Sequence, residues 1–202
     1  MRPVFSPDGK RLAYAVREGR DGQFVAVQGA TQSDYYKGTG EISFSSDSKH
    51  LAFTANKEDR TVLVVDGKEN FMSDSPYGDM RSDYFTFSPD NKRLAYIAHH
   101  GGGAYVVIDG AEYGPYYELS PMNEDAYIYF SSDSRHFAFM ANHDDERDAH
   151  RHHLLVVDGV EHPVPGEWLT ESLLRWDSPM TLHGLVMGED KLYRLDARIA
   201  EK

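Results

Sequence analysis

The chain has 202 residues, 33 of them Asp or Glu against 21 Lys or Arg, with a formal net charge of −12 and a pI near 5.2. That balance excludes a nucleic-acid binder built on basic patches and a protein held electrostatically on an anionic membrane. Apolar residues at 40%, with 13 Tyr and 10 Phe, exclude a disordered chain, and the lack of cysteine excludes disulfides, thiolate metal sites and cysteine nucleophiles.

In chain order, the first patterned segment is Val4-Phe5-Ser6-Pro7-Asp8-Gly9. It reads as the end of a strand running into a tight turn, since Pro presets φ and Asp or Ser bonds back to nearby backbone N–H groups. Arg11–Ala15 follows as a second strand and Phe24–Val27 as a third. The same succession restarts at Phe44, Phe87 and Phe130, with spacings of 39, 43 and 43 residues, and more faintly at Trp176, 46 further on. Each restart leads to a β-branched or apolar strand: Val62–Val65, Tyr105–Ile108, Leu154–Val157 and Leu192–Leu195. In the middle three copies that strand ends in Asp-Gly (Asp66-Gly67, Asp109-Gly110, Asp158-Gly159), a strong hairpin signal. A fourth, poorer strand fits before the next Phe. Helical periodicity is nowhere sustained, and no run of about 18 apolar residues offers a membrane span.

Four antiparallel strands per 40-odd residues, in tandem, predict an all-β fold: a β-propeller of about five four-stranded blades. One blade has two apolar faces and cannot bury both alone; stacking against neighbours buries them. Ala13, Ala52, Ala95 and Ala138 hold one fixed place in the repeat, where a small residue lets blades approach closely. The expectation is a single domain over 1–202, with units near 1–39, 40–82, 83–125, 126–171 and 172–202. A closed five-bladed ring is the first reading; a piece of a larger propeller, and closure by association of two chains, are the alternatives.

The pattern Phe-Ser-Pro-Asp-Gly-Lys-x-Leu-Ala-Tyr/Phe resembles the TolB-like, WD-repeat-like β-propeller family over about four clear copies and a weak fifth. The resemblance implies the propeller fold, on which both periplasmic scaffolds and oligopeptidase propeller domains are built. The Trp-Asp pair at Trp176-Asp177 falls in the Phe-Ser slot rather than at the end of a third strand, and reads as coincidence.

Topology sorts the residues that can carry function. Turns between first and second strands, and between third and fourth, lie on one rim; both are short and regular. Asp8, Asp47, Asp90, Asp133, Asp66, Asp109 and Asp158 recur there, and recurrence marks them as structural, because catalysis needs one special site. The opposite rim carries the variable loops. Candidate ligand-binding residues there are Arg17, Asn56, His99 and Asn142, each twelve residues past its repeat Phe, together with Arg81, His100 and Trp168. The fourth copy has a six-residue insertion rich in imidazole and carboxylate. His143, Asp144, His150, His152 and His153 are candidate ligands for a divalent metal there; the alternative is a solvated mixed-charge loop, and no spacing matches His-Glu-x-x-His. No other cofactor is indicated.

No Gly-x-Ser-x-Gly elbow, P-loop or dinucleotide fingerprint occurs. The reading is a non-catalytic scaffold that binds a protein or peptide through the variable rim. The alternative is a carbohydrate-active enzyme using Glu41, Asp83, Glu124 or Asp125 at the channel mouth. No nucleic acid or membrane insertion is expected. Localisation stays open between the cytoplasm and, if a leader is removed, the periplasm or exterior.

Overall fold

The computed structural model describes residues 2–19, 22–28, 33–75, 84–120, 128–143, 152–168, 174–187 and 191–200. Every regular element among them is a strand. Contacts gather the chain into two compact units, Met1–Asp83 with Ile97–His100, and Tyr84–Tyr96 with Gly101–Lys202.

The first unit holds two copies of the repeat. Strands β1 (Val4–Phe5), β2 (Leu12–Glu18) and β3 (Gly22–Val27) form an antiparallel sheet, extended by the bridge Gln23↔Tyr36. The second copy is a full four-stranded blade of β4 (Gly38–Phe44), β5 (Leu51–Lys57), β6 (Arg60–Val65) and β7 (Lys68–Ser73). The two copies share one core, in which Ala13, Val25, Tyr36, Ile42, Phe44, Phe53, Val62 and Val64 interlock. Strand β9 (Leu94–His100) is preceded by β8 (Phe85–Phe87), and its last residues join this unit through the parallel bridge Ser73↔His99.

In the second unit, β8 and β9 pair antiparallel, and β10 (Gly103–Ile108) pairs with β11 (Ala111–Tyr116). The fourth copy comprises β12 (Glu118–Ser120), β13 (Ile128–Phe130), β14 (Phe137–His143), β15 (His152–Val157) and β16 (Val160–Pro163), with β12 and β13 lying along the same edge of β14. The fifth comprises β17 (Glu167–Trp168), β18 (Arg175–Ser178), β19 (Thr181–Met187) and β20 (Leu192–Arg198). Copies four and five pack through Ala138, Met140, Leu155, Leu174, Leu182 and Val186. The four repeat alanines are 0% exposed, so any larger side chain there must push a neighbouring sheet away.

The Phe-Ser turns are built identically four times. The hydroxyl of Ser6, Ser45, Ser88 or Ser131 donates to the Asp two residues on at 2.6 Å and accepts the N–H five residues on at 2.9–3.0 Å. These hydrogen bonds hold the carboxyls of Asp8, Asp47, Asp90 and Asp133 below the usual carboxylate range, with Asp47 down to about 2. At the next position the backbone is left-handed, at Gly9, Ser48, Asn91 and Ser134.

Copies one and three differ systematically from two and four, and the difference is a clamp. Ser48 Oγ accepts the N–H of Asp8 at 3.0 Å, and Ser134 Oγ accepts that of Asp90 at the same distance. Arg11 donates to the carbonyls of Ser48 and Lys49 and lies over the Phe44 ring; Arg93 does the same to Ser134, Arg135 and Phe130. A serine tolerates the left-handed backbone at a modest cost because its hydroxyl fastens the preceding copy.

Each Asp-Gly turn has both residues at positive φ, near +50 and +80. That geometry matches the right-handed twist of the flanking strands. The Asp also ties this hairpin to the first turn of its own copy. Asp66, Asp109 and Asp158 accept the N–H of Leu51, Leu94 and Phe137, and pair with His50, Arg93 and His136 respectively. All seven recurrent aspartates therefore work as turn fasteners.

Candidate functional site

Arg17, Asn56, His99 and Asn142 each occupy the sixth position of a seven-residue strand. They are equivalent, but they sit in strands rather than loops. The second strands run two residues further than the turn signals suggest, because Lys57↔Arg60 closes a two-residue hairpin and extends the ladder. Arg17 is exposed; Asn142 is 1% exposed. His100 ends β9 with its ring 5.9 Å from that of Phe71. Arg81, Asp144 and His150 lie outside the described residues, and for His152 and Trp168 only the backbone is described. His143 and His153 are described; among the described residues no group of three or more imidazole or carboxylate side chains is arranged to hold a metal.

A cavity lies in the first unit, where Tyr35-Tyr36-Lys37 meets the Lys57-Glu58-Asp59-Arg60 hairpin, with a volume of about 350 Å³. Its position follows from local chemistry. Lys37 N–H donates to the Asn56 carbonyl at 2.9 Å, and the Thr61 hydroxyl donates to Asn56 Oδ1 at 3.3 Å, so the two walls are fixed to one strand end. Gly38 lies close beside them: a Cβ there would stand 3.3 Å from the Asn56 amide, which would have to shift by a few tenths of an ångström.

Two of the lining residues, buried Tyr36 and half-exposed Lys57, meet on the partly buried Glu69. Tyr36 donates to Glu69 Oε1 at 3.2 Å, and Lys57 Nζ reaches both Glu69 oxygens at 3.1 and 2.9 Å. Burial first, and the Glu69 charge second, push the Tyr36 phenol far above its ordinary value, so it stays a donor. The Tyr36 ring packs edge-on against Phe53. Tyr35 stands as an exposed aromatic wall, its ring edge-on to Phe24 at 5.2 Å and its hydroxyl bonded to Glu18. Arg60 forms no ion pair among the described residues, in contrast to Lys57, Arg93 and Arg194.

The fourth copy repeats the triad with altered chemistry. Tyr116 packs edge-on against Phe139 and its phenol is raised by burial and by Glu161; His143 stands in the place of Lys57, 3.4 Å from Glu161. His153 replaces Thr61, and the Asn142 amide reaches Glu118 at 3.5 Å. In the third copy Glu112 likewise raises Tyr96, after burial. Sequence reasoning passed over these acids, although the signal is plain: Asp-Gly-x-Glu occurs three times, at Glu69, Glu112 and Glu161. The Trp176 indole donates to the Tyr129 carbonyl at 3.1 Å and fastens the fifth copy to the fourth.

Sheets of this construction define an all-β protein with propeller-type blades. No protein-family model and no curated protein matches the chain. Among solved structures it is similar to a eukaryotic initiation factor (14% identity, TM-score 0.51) and to TolB from Acinetobacter baumannii (16%, 0.43), in each case over 98% of this chain and 51% of the other. It is also similar to the β-propeller domain of the Trilobed protease from Pyrococcus furiosus, at 14% identity and a TM-score of 0.44, over 100% of this chain and 71% of that one. The chain spans about half the length of the first two. At these identities the likeness concerns the fold alone.

Proposed function

We propose that the chain is a five-bladed β-propeller module that binds a protein partner by an extended peptide segment laid across the variable rim. The observation that carries this reading is the cavity between Tyr35–Lys37 and the Lys57–Arg60 hairpin. It joins an exposed aromatic wall, a guanidinium with no carboxylate partner among the described residues, and backbone edges at the ends of strands, the mixture that recognises peptide side chains. Its volume of about 350 Å³ has room for one or two side chains. The Glu69 carboxylate is held by Tyr36 and Lys57, which suits a rigid support better than a proton-transferring group. On this reading, a displayed random-peptide library selected on the protein yields a consensus, and titration calorimetry shows the selected peptide losing at least tenfold in affinity on Tyr35→Ala and on Arg60→Glu. A library that yields no consensus, or peptides that bind both variants as they bind the parent, rejects it.

A further inference from the structure

The repeat gives every strand a standard neighbour, and one strand lacks it. In copies two, three and four the third strand carries a fourth on its outer edge: β7 on β6, β11 on β10 and β16 on β15. In copy five the third strand is β20, and among the described residues it pairs with β19 only. The physical reason is local. The Asp-Gly that turns the chain after the third strand in copies two, three and four is missing from copy five, where β20 reads Leu195-Asp196-Ala197-Arg198. The Gly of that pair takes a φ near +80, which a Cβ disfavours. The strand therefore runs straight on, pairing His183↔Asp196, Leu182↔Ala197 and Thr181↔Arg198.

The outer edge of β20 is thus a row of backbone donors and acceptors with no ladder partner among the described residues. It is flanked by apolar surface, with Leu192 55% and Tyr193 50% exposed. Such edges recruit another strand unless charges forbid it. The charges on this edge forbid most partners and select one. Arg194 and Asp196 project from the same face and bond each other at 2.7 Å. An antiparallel copy of the same strand, centred on Leu195, sets Arg194 opposite Asp196 and Asp196 opposite Arg194, Tyr193 opposite Ala197, and Leu195 opposite itself. Opposite charges face each other twice, and shifting the centre by one residue, to Arg194 or Asp196, sets two like charges against each other.

We propose that β20 is a self-complementary docking edge, and that two copies of this chain associate through antiparallel β20–β20 pairing about a two-fold axis at Leu195. The contact is isologous and therefore closes at two copies. Seven residues a side bury less than the roughly 1,200 Å² of a standard stable interface, so the dimer is a weak one that forms at high protein concentration.

Sedimentation equilibrium from about 5 to about 500 µM tests this on the full chain. The parent is expected to pass from monomer to dimer over that range. Asp196→Arg, which sets like charges against each other, should stay monomeric throughout. The double variant Arg194→Asp with Asp196→Arg should associate again, because the symmetric pairing is restored with its charges exchanged; loss of the internal Arg194 contact to Asp177 cannot produce that rescue. A second readout does not depend on those charges. Leu195→Cys introduces the only thiol, and mild oxidation should yield a disulfide-linked dimer, whereas Leu185→Cys on the inner neighbour strand should not. A parent that is monomeric at the highest concentration overturns the proposal. So does Asp196→Arg associating like the parent, or cross-linking as readily at position 185 as at 195.

Discussion

Replacing Ser131 by Ala tests the turn architecture at its most buried point. Ser131 is 0% exposed, and its hydroxyl accepts the His136 N–H at 3.0 Å while donating to Asp133 at 2.6 Å. Alanine fits the space but leaves the His136 N–H without that acceptor. An orphaned buried donor costs about 1–3 kcal/mol, so a central value of about 2 kcal/mol is expected. For a domain of this length that corresponds to a fall in Tm of about 4–8 °C. Urea unfolding followed by near-ultraviolet circular dichroism reads the change directly, with an unaltered m-value showing that the native and unfolded states are otherwise the same. Ser6, Ser45 and Ser88 carry the same two bonds and provide internal replicates. If Ser131→Ala unfolds within about 0.5 kcal/mol of the parent, the hydroxyl is not the fastener and the reasoning fails.

The depressed carboxyls make stability depend on pH in a fixed direction. Their folded values lie below the unfolded value near 3.9, so their contribution is complete above pH ~4 and is lost as pH falls towards the folded value, about 2 for Asp47. The urea midpoint should drop between those limits, and less steeply in Asp47→Asn; equal slopes would contradict the assignment. Tyr36 and Tyr116 run the opposite way: with phenols raised, their bonds hold below pH ~10 and fail only well above it. Absorbance at the phenolate band should therefore show a late-titrating group of tyrosines that includes these two, and Tyr36→Phe should remove one of them. Gly67→Ala and Gly159→Ala impose similar backbone strain, at φ +83 and +80, of about 1 kcal/mol. Only the Gly159 Cβ meets the Tyr113 ring, so that variant should be clearly the less stable in thermal melts; equal losses would show the ring yields freely. Phe139→Ala, at a 0% exposed site, should cost about 3–5 kcal/mol, and a loss below about 1 kcal/mol would mean the core collapses around the gap.

Much of the strand pattern was legible because it is local. Phe-Ser-x-Asp and Asp-Gly specify turns from within a few residues, and the structure forms β5, β6 and β7 between them in the order read from the pattern. The candidate site was legible only in outline. Twelve residues past each Phe does mark equivalent positions, since the copies keep one register. Those positions belong to strands, however, because hairpin length is set by pairing across strands, as at Lys57↔Arg60. The Tyr36–Glu69–Lys57 triad joins residues up to 33 apart in sequence, and none of them is distinctive until strand pairing and packing bring them together.

The amino-acid order by itself determined that this protein is a tandem of small β units with structural aspartates at its turns, because turn formation answers to φ, ψ and hydrogen bonds among near neighbours. Only the tertiary structure decided which copies fasten to which, through Ser48 and Ser134; which acids lie beside a tyrosine; and that the outer edge of β20 has no ladder partner among the described residues. Each of these depends on groups meeting across separate strands, where burial and geometry give an ordinary residue its role.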